Sequence, residues 1–539
     1  MSSPRNTLPR IAPPPATTCS TSTTRRGVTA PSAVLPHDRV HRAFEAWAAA
    51  RPHAVAAEHG DRSITYGELD HRAQRLADRL AGAGIGVGDL VPVVGRRGIP
   101  LLVALIAVLK SGAAYVPLDG RVTPDAQLRH VLAKTRARVV LTTAGCGRAA
   151  PLREIATVLD VEGPAVEQPS EAFPGVTDAG TRSDPTGEDP CYVLFTSGTT
   201  GAPNGVVVTH RNVCNLLLRE PGGLGMGPGQ RVAQILNIAF DMAAWEILGA
   251  LTRGATLLVR GPDIAETVAR AEVVIATPTV LTTVDPDLCP RVRVVAVAGE
   301  PCPRALADRW AARADFYNSC GPTETTIVNT MARHTPAAAR LTIGRPTPNN
   351  TVYVLDGARR PVAPGVVGEI WAGGDGVTAG YLDDPELTGE RYLPDPFLGG
   401  GRRMFRTRDL GRWTDDGDLE ILGRTDDQVK IRGFRVELDS VSAVLESMPR
   451  CLRAVTLKLD SRTLVSFVAS GGSTPIDPAS ARDAVAAALP YYCVPKTVHV
   501  LPRLPTTPRG KIDKRALLAL AEDAAGDPGV PATTAEALR

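Results

Sequence analysis

Short apolar runs alternate with helix-spaced segments from Val40 to Ala298, and no other feature restricts the fold as strongly. Apolar positions at helical spacing begin at Val40 and Phe44 and end near Pro52. A second helix is expected from about Tyr66 to Ala83, with Leu69, Ala73, Leu76 and Leu80 on one face. Strand Val91–Val93, helix Leu101–Leu109 and strand Ala114–Pro117 follow. The rhythm continues through Val139–Leu141, Arg231–Ile235, Thr256–Val259, Val273–Ala276 and Val292–Ala298. Strand, helix and strand repeated in this way pack as parallel sheets covered by helices on both faces.

From about Thr342 the pattern changes to short strands separated by Gly and Asp: Val352–Leu355, Gly368–Ala372 and Leu419–Leu422. These predict a more antiparallel, barrel-like region. After Asp426 comes a compact unit with a helix at Leu438–Met448, a hairpin at Ala454–Val468, a helix at Ala481–Leu489 with Ser480 as N-cap, and a strand at Val498–Leu501. The expected organisation is α/β: a disordered arm (1–36), a large core subdomain (37–425) with parallel α/β sheets plus a small barrel-like β region, a small α+β lid (426–518) and a tail (519–539).

Composition excludes several classes. A chain of 539 residues with 43% apolar and 22% charged residues is globular and large enough for several domains. A net charge of +3 gives no reason to expect nucleic acid or an anionic membrane as partner. No run of about 18 apolar residues is present to span a bilayer. The nine cysteines are scattered, without a C-x-x-C pair or metal-ligand spacing, which suits free thiols in a cytoplasmic protein. Residues 1–36 are rich in Ser, Thr and Pro, contain Arg5, Arg10, Arg25 and Arg26, and hold no acidic residue. They lack the apolar stretch of a secretory signal; a transit peptide and an unstructured bacterial N-terminus both fit them.

The segment Tyr192–Gly205, YVLFTSGTTGAPNG, carries the first chemical signal. Tyr192–Phe195 and Val206–Val208 read as strands, and between them lie Thr196, Ser197, Gly198, Thr199, Thr200, Gly201, Ala202, Pro203 and Asn204. Hydroxyls and small residues on a tight loop expose backbone N–H and O–H donors that suit an anionic phosphate. The loop does not fit a Walker A frame, and a flexible Gly/Thr turn is the plain alternative.

Further segments follow in order: TYGEL (65–69), LKSGAAYVPLD (109–119), the loop above, FDMAAWE (240–246), NSCGPTE (318–324), GEIWAGGDGVTAGYL (368–382), FRTRDLGRW (405–413), GRTDDQVKIRGFRVEL (423–438), LPYYCVP (489–495) and RGKIDKR (509–515). Together they resemble the ten core motifs of adenylation domains of nonribosomal peptide synthetases, in the superfamily of acyl- and aryl-CoA synthetases and luciferases. The resemblance covers about residues 37–518.

It implies a two-step reaction with ATP and Mg²⁺. An amino acid carboxylate attacks the α-phosphorus, giving aminoacyl-AMP and pyrophosphate, and the acyl group then passes to the phosphopantetheine thiol of a peptidyl carrier protein. A carboxylate is already ionised at neutral pH, so the first step needs positioning and charge neutralisation rather than a general base. By the matched motifs, Thr196–Gly201 cradle the β- and γ-phosphates, Thr323 contacts the α-phosphate and Glu324 holds Mg²⁺. Asp409 accepts the ribose hydroxyls with Arg424 nearby. Asn318, with Ser319 and Cys320 after it, reads adenine, and Gly299 and Glu300 lie beside the nucleotide. Lys511 bridges substrate carboxylate and phosphate; Asp426 is the hinge about which the lid would turn to bring Lys430 and Gly433 to the thioester-forming face.

Asp241 matches the acid that pairs with the substrate α-amino group. The implied side-chain pocket is Met242, Trp245, Ala276, Ala296, Ala298, Ser319, Ile327 and Val328, with Ala276 and Ala296 open to a one-residue slip. Its lack of further charge disfavours charged side chains, and three alanines beside Trp245 predict a bulky neutral, aromatic substrate.

Four places depart from the family pattern. Asn204 stands where lysine is usual, Cys320 where a tyrosine stacks on adenine, Arg408 where glycine is usual, and Asp439, Ser440 and Ser442 replace a Gly-Glu-x-Glu run. A lost aromatic stack costs about 1 kcal/mol. Two other readings stay open: an acyl- or aryl-CoA ligase, and a catalytically silent scaffold. With no HHxxxDG and no carrier signature, the chain reads as free-standing or as a piece of a longer synthetase. An MbtH-like helper is common in the family, and the motifs do not decide whether this chain needs one.

Overall fold

The computed structural model describes residues 35–143, 152–163, 184–198, 203–470, 476–506 and 512–526. The contacts divide the chain into two units. One comprises Met1–Arg121, Leu132–Phe195 and Gly205–Thr425, and the other Val122–Val131, Thr196–Asn204 and Asp426–Arg539.

Two large sheets organise the first unit. The seven-stranded sheet runs Gly380–Tyr381, Asn204–Thr209, Pro190–Thr196, Ala114–Asp119, Leu90–Gly95, Val139–Thr142 and Thr157–Asp160. The pairings from Pro190–Thr196 to Thr157–Asp160 are parallel. The nine-stranded sheet runs Arg345–Pro346, Thr330–His334, Asp315–Cys320, Val294–Val297, Val273–Ala276, Arg231–Gln234, Thr256–Val259, Val55–His59 and Arg62–Thr65. Its interior is parallel, and antiparallel pairing is confined to its two ends.

Local chemistry explains the helices between these strands. Thr65 caps Tyr66–Gly82 by accepting from the Glu68 N–H, while the Glu68 carboxylate accepts from the Thr65 N–H, a reciprocal capping box. Helix Ile99–Ser111 begins with Pro100 in its first turn and ends at Gly112, whose φ of 89° lies in the left-handed region. That helix is buried nearly all round because it packs on Val40–Ala50, on Tyr66–Gly82 and on strands of both sheets. Helix Asp241–Thr252 is buried in the same way, against Arg231–Gln234, Thr256–Val259 and Val273–Ala276.

The region after Thr342 forms a five-stranded antiparallel sheet. Its order is Asn350–Leu355, Gly368–Gly374, Arg403–Trp413 and Tyr392–Pro394, with Leu419–Arg424 pairing on Arg403–Trp413.

The second unit is α+β. Hairpin Gln428–Ile431/Phe434–Glu437 leads into helix Leu438–Glu446 and a sheet of Cys451–Lys458, Leu464–Ser470 and Thr497–Leu501. Its core includes Ile431, Val436, Val441, Leu445, Val468 and Val485. Two expectations are corrected here. The third-quarter helix of this unit begins at Pro478, not Ala481, because Asp477 rather than Ser480 is the cap and accepts from the N–H groups of Ala479 and Ser480. The stretch expected as a tail from 519 continues the helix Lys514–Gly526, whose Leu517 and Ala521 are buried against Phe467 and Leu457.

Candidate functional site

The first unit gathers several expected residues at the carboxyl ends of its strands. Strand Arg231–Gln234 ends in a loop that delivers Asp241 to the first turn of helix Asp241–Thr252. Strand Asp315–Cys320 ends in the one-turn helix Thr323–Thr325. The Thr323 hydroxyl donates to Asp241 Oδ2 at 2.7 Å, joining residues 82 apart in the chain. Buried beside Asp241 is Tyr192, whose hydroxyl has no hydrogen-bond partner among the described residues. Burial, reinforced by the Asp241 charge, pushes that hydroxyl well above its ordinary pKa.

The turn carrying Thr323 is sterically specified. A Cβ on Gly321 would meet the Val328 Cα at 2.6 Å, and Thr326 and Ile327 take φ of 62° and 68° to reverse the chain. Glu324 at its centre is fully buried and accepts from the Tyr381 hydroxyl at 2.7 Å. The Thr378 N–H donates to the Glu324 carbonyl at 3.1 Å, and the Thr378 and Tyr392 hydroxyls are 2.7 Å apart. Burial first, then the Glu324 charge, raises the Tyr392 pKa.

Other residues assigned to the nucleotide hold defined partners. Asp409 and Arg424 are cross-strand neighbours and form an ion pair. The Asp409 N–H donates to Thr407 Oγ1 at 3.0 Å, and Arg424 donates to the Thr407 carbonyl at 3.2 Å. Arg408, between them, has a φ of 63°, which accounts for glycine being the easier residue there. Glu300 Oε2 accepts from the N–H and hydroxyl of Thr279 at 3.0 and 2.6 Å, while its Oε1 is buried without a hydrogen-bond partner among the described residues. Gly299 before it has a φ of 86°. The Asn318 amide donates to the Thr342 carbonyl at 2.7 Å. Cys320 packs against the cluster of Ile343, Val352 and Trp413.

In the second unit, the Ser197 hydroxyl donates to the Arg435 carbonyl at 3.0 Å, and the Ser440 hydroxyl donates to the carbonyl of Gly198. Thr196 ends its strand, with its hydroxyl 3.5 Å from the Asn204 carbonyl. Lys430 lies on the hairpin opposite Arg435, and both Lys430 and Asp426 are half-buried. Lys514 pairs with Asp427 at 2.6 Å, beside the expected hinge. Thr199, Thr200, Gly201 and Lys511 lie outside the described residues.

Strand register divides the expected side-chain pocket. Ala296 pairs with Ile275 on one side and Tyr317 on the other, so these share a face, and Ser319 follows Tyr317 on it. Ala276 pairs with Val297 on the opposite face. Ile275 thus shares a face with Ala296, and Ala276 lies on the other face of its strand. The Ser319 hydroxyl is buried with no hydrogen-bond partner among the described residues. Ala298, Ile327 and Val328 are buried, as is Met242. Trp245 is fully buried, and its indole N–H donates to the Gly222 carbonyl at 2.7 Å, which fixes the ring in place.

Two functional neighbours, Tyr381 and Glu246, had no assigned role although both lie within quoted motifs. Glu246 is fully buried and accepts from the N–H groups of Ile235 and Leu236 at 2.9 and 3.2 Å, bracing the loop that leads to Asp241. Burial pushes its pKa up to about 8.

The profile of the family described as AMP-binding enzyme matches residues 44–382. The chain is 36% identical over 488 residues to novobiocin biosynthesis protein H of Streptomyces niveus, covering 87% of this chain and 80% of that protein. This chain belongs to the AMP-binding enzymes. This AMP-binding enzyme is also 45% identical over 494 residues to adenylate-forming reductase 03009 of Coprinopsis cinerea, which covers 90% of the chain; it spans only 47% of that reductase, about half its length. Among solved structures it is similar to an NRPS protein containing adenylation and PCP domains bound to a vinylsulfonamide inhibitor, with TM-score 0.78, 26% identity, and 89% and 84% of the two chains covered. It is an adenylate-forming enzyme of the nonribosomal peptide synthetase type.

The donor set of this AMP-binding enzyme fits a magnesium nucleotide. Among the described residues no three His, Cys, Asp or Glu side chains gather to hold a metal. At the Thr323 turn the carboxylates of Glu324 and Asp241 offer hard oxygens, which suits Mg²⁺, an ion usually held by one or two carboxylates with phosphate and water oxygens.

Proposed function

We propose that the enzyme activates an amino acid with a neutral side chain as its aminoacyl-AMP and then passes the acyl group to the thiol of a carrier protein. The observation that carries this reading is the Asp241 carboxylate, in the first turn of its helix and bonded to Thr323. A carboxylate beside the buried Tyr192 is a natural partner for a substrate ammonium, which aryl and fatty acids lack. Thr323 thereby links the group that orients the amino acid to the turn that faces the nucleotide. Attack needs the two reactants held in line, and Asp241 and Thr323 supply that positioning.

Glu324, kept in place by Tyr381, would hold Mg²⁺, which neutralises charge on the phosphates when bound. Asp409, oriented by Arg424, would accept the ribose hydroxyls. Thr196–Gly201 would contribute phosphate donors, Lys511 the cation between carboxylate and phosphate, and Lys430 the face used in thioester formation after rotation about Asp426. We keep the bulky neutral side chain expected from the implied pocket; Ile275, which shares a face with Ala296, would narrow the space on that face. The likeness to an adenylate-forming reductase supports a second reading of the later fate, release of the acyl group by reduction.

Amino acid-dependent ATP–pyrophosphate exchange over a panel of amino, keto and aryl acids tests the proposal. Exchange with a neutral amino acid that is lost in Asp241→Ala supports it. Exchange only with acids lacking an amino group, or a clear preference for lysine or aspartate, overturns it.

A further inference from the structure

Three arginines of the first unit converge at the carboxyl ends of strands from both large sheets. Arg97 follows Leu90–Gly95, Arg121 follows Ala114–Asp119, and Arg260 follows Thr256–Val259. Each lies within electrostatic reach of the other two, and their charges depress the pKa values of Arg97 and Arg260 in addition to the larger effect of burial. Arg97 donates to the Leu236 carbonyl at 3.1 Å, and the Arg260 N–H donates to the Gln234 carbonyl at 3.1 Å. The Nε atoms of Arg97 and Arg260 are buried and have no hydrogen-bond partner among the described residues.

The carboxylates facing this cluster do not balance it. They are Asp119 and Glu246. Asp119 stands 3.6 Å from Arg121 and also accepts from the Asn237 amide at 3.1 Å. Glu246 is occupied by backbone N–H groups. Three guanidinium groups thus face two carboxylates, each already hydrogen-bonded to other groups. Like charges held together in a partly desolvated place are costly without an anion between them.

We propose that Arg97, Arg121 and Arg260 form an anion site that takes a phosphate ester. Planar guanidinium forks match phosphate oxygens in pairs, and ligands of parallel α/β sheets bind beyond the carboxyl ends of the strands. The site connects to the substrate acid. Leu236 and Asn237, which touch the cluster, begin the loop that ends at Asp241, and five residues of chain span at most about 18 Å. An extended arm anchored here by its phosphate reaches toward Asp241. The phosphate chemistry has two sources, a free phosphate ion or the phosphodiester of a carrier's phosphopantetheine, and assigning it to the arm rests on the carrier transfer proposed above.

Calorimetry on the full chain with 4′-phosphopantetheine, pantetheine and inorganic phosphate separates these. The expected result is phosphopantetheine binding about tenfold or more tighter than pantetheine, an advantage lost in Arg121→Gln/Arg260→Gln and partly restored in Arg121→Lys/Arg260→Lys. Amino acid-dependent exchange, unaltered in the glutamine variant, shows an intact fold. Inorganic phosphate binding as tightly as phosphopantetheine supports the site and assigns it to the free ion. Equal binding of phosphopantetheine and pantetheine with no phosphate binding overturns the site, as does a phosphate advantage that survives in the glutamine variant. Absence of exchange in the wild type would refute the adenylation reading, while the binding series would still decide the anion site.

Discussion

Acid should weaken the first unit through one buried pair, His41 and His210. Their rings lie 5.5 Å apart at 74°, and both side chains are almost fully buried. His210 Nδ1 accepts from the Val40 N–H at 3.3 Å, so protonating that nitrogen breaks the bond that ties the first helix to this region. Burial chiefly, with Arg42 acting on His41 and His41 acting on His210, lowers both pKa values to about 3; Asp184 and Asp189 only partly oppose this. The sign follows from proton binding. Both residues are neutral when folded, whereas the unfolded chain takes up a proton on each below about pH 6.5, so stability falls as pH drops through that value. At pH 5 each histidine costs about 2 kcal/mol relative to pH 7.5, and the pair about 4 kcal/mol. Glu246 acts oppositely, since its folded pKa is raised to about 8, and it offsets about 3 kcal/mol over the same window. The informative quantity is therefore the difference between wild type and His41→Asn/His210→Gln in urea unfolding followed by circular dichroism. That difference should change by about 4 kcal/mol in favour of the variant between pH 7.5 and pH 5. Parallel pH profiles for the two proteins would refute the assignment of acid sensitivity to this pair.

Four further outcomes follow from the site. Thr323→Val removes the donor to Asp241 and should lower kcat/KM for exchange about tenfold to a hundredfold with little change in melting temperature, as expected for a hydrogen bond to a charged group; unchanged kinetics would place Thr323 outside the reaction. Ile275→Ala should shift exchange toward larger amino acids by about 1–3 kcal/mol, whereas Ala276→Gly should leave the ranking unchanged; the reverse result would restore Ala276 to the pocket. Arg408→Gly should be more stable than Arg408→Ala by up to about 1 kcal/mol in unfolding experiments, because a φ of 63° inverts the usual order of these residues. Asn204→Lys should tighten the apparent affinity for ATP, and an unchanged value would show that position 204 does not face the phosphates.

The parts of this molecule that were legible in its sequence are those in which local chemistry and tertiary structure agree. Thr65 with Glu68 marks the start of a helix because two backbone donors are satisfied within four residues. Pro100 and Gly112 bracket the next helix for reasons equally local. Ser480 misled because Asp477, three residues earlier, accepts from the N–H groups of Ala479 and Ser480 and starts the helix there.

Which of Ile275 and Ala276 shares a face with Ala296 was not legible, for a deeper reason. Val273–Ala276 is apolar at every position because a parallel strand is buried on both faces. Without alternation between polar and apolar residues, nothing local distinguishes one face from the other, and a one-residue slip exchanges them. Only pairing with Val294–Val297 decides which side chain shares a face with Ala296. The arginine cluster was hidden in the same way. Arg97, Arg121 and Arg260 each follow a strand as ordinary polar residues after an apolar run, far apart in the chain. What brings them together is sheet order, which places Leu90–Gly95 beside Ala114–Asp119 in one sheet and Thr256–Val259 beside Arg231–Gln234 in the other. Asp241 and Thr323 meet by the same route, since each ends a connection from a strand of the nine-stranded sheet. Motifs thus nominate candidate residues for this chemistry. Which of them act on the same atom depends on strand register and order, which no single segment encodes.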